Sequence, residues 1–587
     1  MANNKNFIAK NGVSTGDGYA MPDVRPSLLL DFANSKSLDP RITFTRGSTA
    51  TYWDGHTTTK AEENLLTLSQ QVDSWGKSTN VTVTANSTTA PDGTTTADTV
   101  AGNTATSGTR WVNNGSAHTG NATYSFYAKA GTNDYVQIYW NTGSVFANFD
   151  LATGVVGSTS GVTASIVDVG NDWYRCIVSD LSDTYYTAYI QLIDSSTASR
   201  AASSTLQTNI YLWGAQKEIR SSATAYTATT TAPIVKYQPT LQTAASGVAR
   251  FDHDPVTGES KGLLIEEART NNINQSEAQP FQFSNVYSQP WINNEVIAPD
   301  GTQTADTVTG ARVDPSSRLE RSLSYASGTV LTLSFYQKVI WGNWDSSQPV
   351  WAFQNSVGMT ATFGDIEDVG NGWYRMHWVI TTTAASQTLR LYYNSGVGAD
   401  DKVALWGYQL ETGAFPTSYI ATSGSTVTRS LDSAEITGTS FDFFNNQEST
   451  LYSEIDMAYS GDNSKGILSV NANISGASGR LVNMYLSSGL QFYYDSYSFG
   501  STVASGNGGN APPSKVAVGF TTTSYLATSD EQLIGNTSGS YYLDQAVSMK
   551  IGGTYNGNTY PLNGHLKKIA CYPKQLTSAT LQQMTEE

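Results

Sequence analysis

Short runs of alternating apolar and polar residues recur along the whole chain. In Tyr135–Trp140, Val136, Ile138 and Trp140 share one parity, and Tyr135, Gln137 and Tyr139 the other. In the run that ends at Leu192, Tyr186, Ala188, Ile190 and Leu192 oppose Tyr185, Thr187, Tyr189 and Gln191. A period of two marks a strand with one buried face. Tyr174, Cys176 and Val178 repeat it, as do Tyr374, Met376, Trp378 and Ile380, which puts these residues on core faces. Gly, Asn and Asp clusters separate the runs, as turns require. Further strands are predicted at 441–444, 450–457, 467–470, 484–486, 490–494, 516–520 and 566–572. Helix-forming residues do not cluster in periodic runs until the last dozen positions. There, Thr577 or Ser578 is placed to cap one short helix, with Leu581 and Met584 facing inward. The pattern predicts an all-β chain of antiparallel β-sandwiches.

The chain also repeats itself. APDGTTTADTV begins at Ala90 and APDGTQTADTV at Ala298, an offset of 298 − 90 = 208. FYAK at Phe126 matches FYQK at Phe335, DVGNDWYR at Asp168 matches DVGNGWYR at Asp368, and LWGAQKE at Leu212 matches LWGYQLE at Leu405. These offsets are 209, 200 and 193. Matches in one order with drifting offsets mean a duplication with loop insertions and deletions. Copy one spans 63–232 and copy two 270–428; 429–587 reads as a third sandwich. Trp173 and Trp373 follow a tight turn; a sugar-stacking role is one reading, but they are expected to pack structurally, capping a strand start or covering a sheet edge. His377 alternates with Met376 and is expected at the surface.

The parity opposite the apolar residues carries the binding candidates. In copy one it holds Tyr135, Gln137, Tyr139, Tyr185, Tyr189 and Gln191. Sugars stack their apolar face on aromatic rings and take hydrogen bonds from polar neighbours, so these residues are candidates for a glycan platform. The other reading is that this face packs on an adjacent module or subunit. The analogous strands of copy two carry Trp351, Phe353, Arg390 and Tyr392, which implies a different specificity.

Composition narrows the function classes. The chain of 587 residues suggests about four units. A net charge of −16 argues against a nucleic-acid partner, which needs clustered Lys and Arg. Residues 1–60 hold seven Lys/Arg and five Asp, so the imbalance lies beyond them. Cys176 and Cys571 imply no disulfide framework and read as buried apolar residues. No secretory signal and no apolar stretch long enough to span a membrane is seen, so a soluble chain made in a cytosol is expected. Asp252, Asp254 and Glu259 lack the ligand spacing of a calcium loop and read as a polar turn, so no metal or cofactor is expected. No phosphate loop, nucleophile elbow or zinc motif is present. Glu266 and Glu267 are adjacent on a presumed strand and face opposite ways, which is unsuited to paired-carboxylate hydrolysis. No enzyme activity is expected.

SLLLDFANSKSLDPRITFTRGSTATYWDG from Ser27, KAEENLLTLSQ from Lys60, GLLIEEARTN from Gly262 and NGHLKKIACYPKQLTSATLQ from Asn563 resemble a group of tailed-bacteriophage virion structural proteins. The resemblance implies carbohydrate-binding-module-like jelly rolls for the two copies and a concanavalin A-like, laminin-G-type lectin sandwich for 429–587. It implies a place in the virion, as a tail fibre or receptor-binding protein that meets a host surface glycan, or as an architectural protein such as a head decoration or collar fibre. A depolymerase spike is a third possibility. By the same analogy, residues 1–26 are a docking arm for other virion proteins and the oligomer is a homotrimer. In that group the TRGSTATYWDG and GLLIEEARTN segments lie close together. Here copy one separates them, which suggests that it is inserted into a small β-domain made of 27–62 and 233–269.

Overall fold

In the computed structural model, residues 24–586 are described except 115–119, 142, 182–186, 278–283, 287–290, 310–317, 355, 395–396, 399–400, 458–464, 473–479, 487–491, 496, 499–500, 503–513, 531, 539–542 and 554–559. Most of the expected docking arm, residues 1–23, lies outside them, as does Tyr185.

The chain is all-β: tandem antiparallel sandwiches. In copy one, one sheet runs Val155–Ser160, Phe146–Asp150, Tyr135–Trp140, Ala188–Leu192, Trp111–Asn114, Gly76–Lys77. The facing sheet runs Thr163–Gly170, Trp173–Leu181, Ala122–Ala130, Asn209–Glu218, Ala97–Gly102, Val81–Thr88. Val136, Ile138, Trp140, Ile190, Cys176 and Val178 meet in the core between them. Copy two keeps the second sheet, and among the described residues its first sheet consists of Ser284–Val286, Arg318–Leu323, Gln387–Tyr393 and Trp351–Phe353. The repeat tryptophans take equivalent places. Trp173 pairs with Lys129 and Trp373 with Lys338; Trp213 pairs with Tyr127 and Trp406 with Tyr336.

Each copy closes on the same buried polar staple. The Asn64 amide donates to Ala215 O and Thr227 O; the Asn271 amide donates to Tyr408 O and Ile420 O. Ser69 and Tyr226 share a hydroxyl bond of 2.6 Å, as do Ser276 and Tyr419. Buried polar groups must be paired, so these staples fix where the strands cross.

Strand pairing divides the segments expected to form a small domain. Ala50–Asn64 and Ile234–Ala244 make a two-stranded ribbon, with Asn64 opposite Ile234, so copy one leaves and re-enters at one ribbon end. The outer pieces belong to the third sandwich. Leu28–Asp31 and the hairpin Phe251–His253/Ser260–Ile265 flank Gly564–Tyr572, and Thr43–Thr45 pairs with Ser433–Thr437. Leu28, Leu30, Leu263 and Ile265 enter the core that holds Leu451, Val470 and Ile569. A ribbon alone buries too little apolar area to fold separately, whereas that core accommodates these side chains.

The C-terminal helix forms at Ser578–Met584, and the Thr577 side chain accepts from Thr580 N. The strand expected at 441–444 is replaced by a turn of 3-10 helix, Gly438–Phe441. Phe441 and Phe444 stack at 5.1 Å, three residues apart, a spacing that a helical turn brings together and a strand does not.

Candidate functional site

The outward face of the copy-one sheet brings together most of the expected platform residues. Tyr139 and Tyr189 are register partners and stack at 5.0 Å with planes 10° apart. Trp111 meets Tyr189 edge-on at 4.9 Å, and the Arg200 guanidinium lies 5.2 Å from the Tyr139 ring centre. Burial pushes the Tyr139 phenol up to about 12, helped by Tyr189 and opposed by Arg200. Gln137 and Gln191 are also register partners on this face.

This face is not an open platform. The connection after Ala188–Leu192 crosses it as a strap. Gln137 donates to Asn148 Oδ1 at 2.8 Å and Ser199 O at 3.0 Å, and accepts from Ala201 N at 2.7 Å. Asn148 donates to Ser196 O and Ala198 O, and Gln191 to Ala202 O at 2.7 Å. Gln137 and Gln191 are fully buried and Tyr139 nearly so. Tyr135, Tyr189 and Trp111 stay half-buried. The amides expected to hold a ligand therefore hold the strap, because a short polar loop over a sheet needs acceptors and donors for its own backbone.

Among the described residues, the equivalent face of copy two has no such cover. Only residues 394–401 separate Gln387–Tyr393 from Lys402–Thr412, against 193–208 in copy one. Arg318 and Arg390 each donate through Nε to Glu320 Oε2, at 2.8 and 2.9 Å, and Arg318 lies 5.6 Å from the Tyr392 ring centre. The hydrogen bonds from Arg318 and then Arg390 hold the Glu320 carboxyl below its ordinary range. Arg318, Glu320, Arg390 and Tyr392 are half-buried. Trp351 and Phe353, expected beside them, pack inward; Trp351 is fully buried against Tyr393.

The repeat tryptophans lie where modules dock. Trp341 of copy two sits 6.3 Å from both Tyr127 and Trp213 of copy one. Trp53 of the ribbon joins Tyr336, Trp373, Trp406 and Tyr419 of copy two. A buried ion triad crosses the first interface: Arg175 Nη1 reaches Glu295 Oε1 at 3.1 Å and Lys402 Nζ reaches the same carboxylate at 2.7 Å. Burial alone would raise the Glu295 carboxyl; Lys402 and Arg175 outweigh it and lower it. Sequence reasoning missed this triad. Its trace was the alignment, in which neutral Ser87 and Asn209 stand where copy two has Glu295 and Lys402.

Two titratable residues singled out in the sequence, Glu266 and His377, are buried and hydrogen-bonded. Glu266 is buried, with Arg250 at 2.7 Å, Arg429 at 2.6 Å and Ser418 Oγ at 2.7 Å. Burial would raise its carboxyl, but Arg429 and Arg250 hold it well below the carboxylate range. His377 is buried rather than at the surface, because Gly364 leaves room for its ring. Asp365 N donates to its Nδ1, and burial lowers its pKa to about 4. Asp254 accepts from Val256 N and Thr257 N as the cap of a polar turn. Among the described residues no group of three or more His, Cys, Asp or Glu is placed to hold a metal. No described helix is long and apolar enough to cross a membrane.

No protein-family model matches the chain, and no curated relative is found. Solved structures are similar to it at low identity. The CBM40 of a Ruminococcus gnavus IT-sialidase is 15% identical over 24% of this chain and 83% of its own, with a TM-score of 0.21. A Trypanosoma rangeli sialidase in complex with sialic acid is 10% identical over 83% of this chain and 60% of its own, at 0.21. The ANXUR1 extracellular domain of Arabidopsis thaliana is 11% identical over 62% and 96%, at 0.18.

Proposed function

We propose that this chain is a non-catalytic bacteriophage virion surface protein of the tail-fibre or host-adhesion type, whose sandwich faces recognise a host surface glycan. The observation that carries the reading is the pair of equivalent sheet faces. Copy one offers the half-buried Tyr189–Trp111 edge beside its strap, and copy two offers Tyr392 between Arg318 and Arg390. Rings beside hydrogen-bond donors are what a sugar face needs. The sequence resemblance supplies the virion setting, the docking arm at 1–26, the homotrimer and assembly in a host cytoplasm. A glycan array with the intact chain, followed by titration of any hit, tests recognition. Affinity in the millimolar to micromolar range is expected, about −4 to −8 kcal/mol. Tyr189→Ala or Tyr392→Ala should abolish it; an array without hits, or hits indifferent to both changes, overturns the reading. Deleting residues 1–26 should leave a folded chain that no longer joins particles.

One observation favours a second reading, an architectural virion protein without a ligand. The strap in copy one consumes the face's amides, and the repeat aromatics are consumed in docking. Under that reading the array is blank while particle incorporation is intact.

A further inference from the structure

A cavity of about 430 Å³ lies where the ribbon, copy one and copy two meet. Small-molecule sites favour such junctions and run from about 300 to 1,000 Å³. Its charged wall is Glu62 between two lysines: Lys338 Nζ donates to Oε1 at 2.6 Å and Lys236 Nζ to Oε2 at 2.8 Å. Two ammoniums face one carboxylate, so the wall carries an excess positive charge in a chain whose net charge is −16. Lys338 is 7% exposed. An ammonium has three N–H donors, and among the described residues Glu62 is its one hydrogen-bond partner. Burial lowers the Lys338 pKa and Glu62 opposes that shift. Ile297, Val339 and Ile340 form an apolar wall, while Gln238 and Thr227 add polar groups. Lys236, with its side chain 52% exposed, marks the solvent side.

The repeat shows that this lysine has been redirected. Its counterpart in copy one, Lys129, donates to Asn171 O at 2.7 Å and approaches Asp172 at 3.4 Å, capping its own turn. In copy two the turn reads Asn371-Gly372, with glycine in place of the aspartate. Without that carboxylate, Lys338 points to Glu62 and the cavity. A side chain at Gly372 would have room, since its Cβ would lie 3.8 Å from Lys338 Cε, and Asp172 adopts the same left-handed backbone in copy one.

We propose that this cavity binds a small hydroxylated carboxylate of the sugar-acid class, with Lys338 receiving the carboxylate and the apolar wall the C–H face of the ring. The Lys338 ammonium has donors beyond the one that reaches Glu62, and a carboxylate in the cavity would accept from them in a charge-assisted bond. The proposal is independent of the sandwich faces above. Its test is calorimetric titration of the intact chain with glucuronate, with an oligosaccharide ending in glucuronate, and with glucose and acetate as comparisons. Glucuronate should bind at least tenfold more tightly than glucose or acetate. Binding of the oligosaccharide would identify a glycan end as the source, and binding of glucuronate alone a free acid; either supports the site. Lys338→Met should weaken glucuronate at least tenfold. Gly372→Asp, which restores the copy-one turn and draws the lysine back, should weaken it as well. No heat with glucuronate, equal binding of acetate, or unchanged affinity in both cavity variants overturns the proposal.

Discussion

Copies one and two share sheets, staples and tryptophans, yet present opposite outer faces. Copy one seals its face with a strap and keeps neutral rings at the edge. Copy two cuts that connection from 193–208 to 394–401 and leaves a charged cluster half-open. The framework is held by groups that must be paired, so duplication preserved it. Loop length lies outside that constraint, since lengthening a surface loop costs little. Divergence therefore accumulated in what covers the sheet rather than in the sheet.

The strongest way to break the relation between the copies is at the triad that joins them. Glu295→Ala leaves Arg175 and Lys402 buried without their carboxylate. We expect about 3–5 kcal/mol of destabilisation of the copy-one/copy-two interface, read as early loss of Trp341 fluorescence in denaturant. Asp306→Asn, which keeps a side-chain acceptor for Asn294 N, should cost less than half of that.

Next comes the strap. Gln137→Ala removes its bonds to buried Asn148 and to Ser199 and Ala201 of the strap and should cost about 2–3 kcal/mol, with faster amide exchange over 196–202. Copy two, whose corresponding connection is only 394–401, should keep its exchange rates. Equal protection of 196–202 in both proteins would mean that packing, not the amide, holds the cover.

Acid sharpens the comparison further. His377 has a folded pKa of about 4, and copy one has Ile177 at the aligned position. A histidine depressed from about 6.5 binds fewer protons folded than unfolded, so its stability is present above 6.5 and is lost as pH falls toward 4. Through His377 copy two should lose about 1.5 kcal/mol between pH 6.5 and 5, a loss that copy one, with Ile177, does not share. His377→Ile should flatten the profile of copy two.

The smallest effect is expected at the copy-two face. Arg390→Ala breaks a half-exposed pair with Glu320 and should cost under about 1 kcal/mol by thermal unfolding. A larger loss would mean that the cluster is structural rather than available to a ligand.

By itself the sequence determined the all-β class, the duplication and most of the core parity. Val136, Ile138, Ile190, Cys176 and Met376 face inward because a period of two is local and needs only a sheet to act on. The capped final helix was legible for the same reason: Thr577 and Leu581 are one turn apart. Parity also placed Gln137, Tyr139, Tyr189 and Gln191 on one outward face, but could not say what lies above it. Only the tertiary structure decided that the strap covers the amides, that Gly364 admits His377 into a buried place, and that Trp341 caps the aromatics of copy one. It also decided that Leu28–Asp31 would pair with Gly564–Tyr572 at the other end of the chain. Such choices depend on which distant surfaces find complementary area and paired charge once the modules dock. Neither is encoded in the spacing of neighbouring residues.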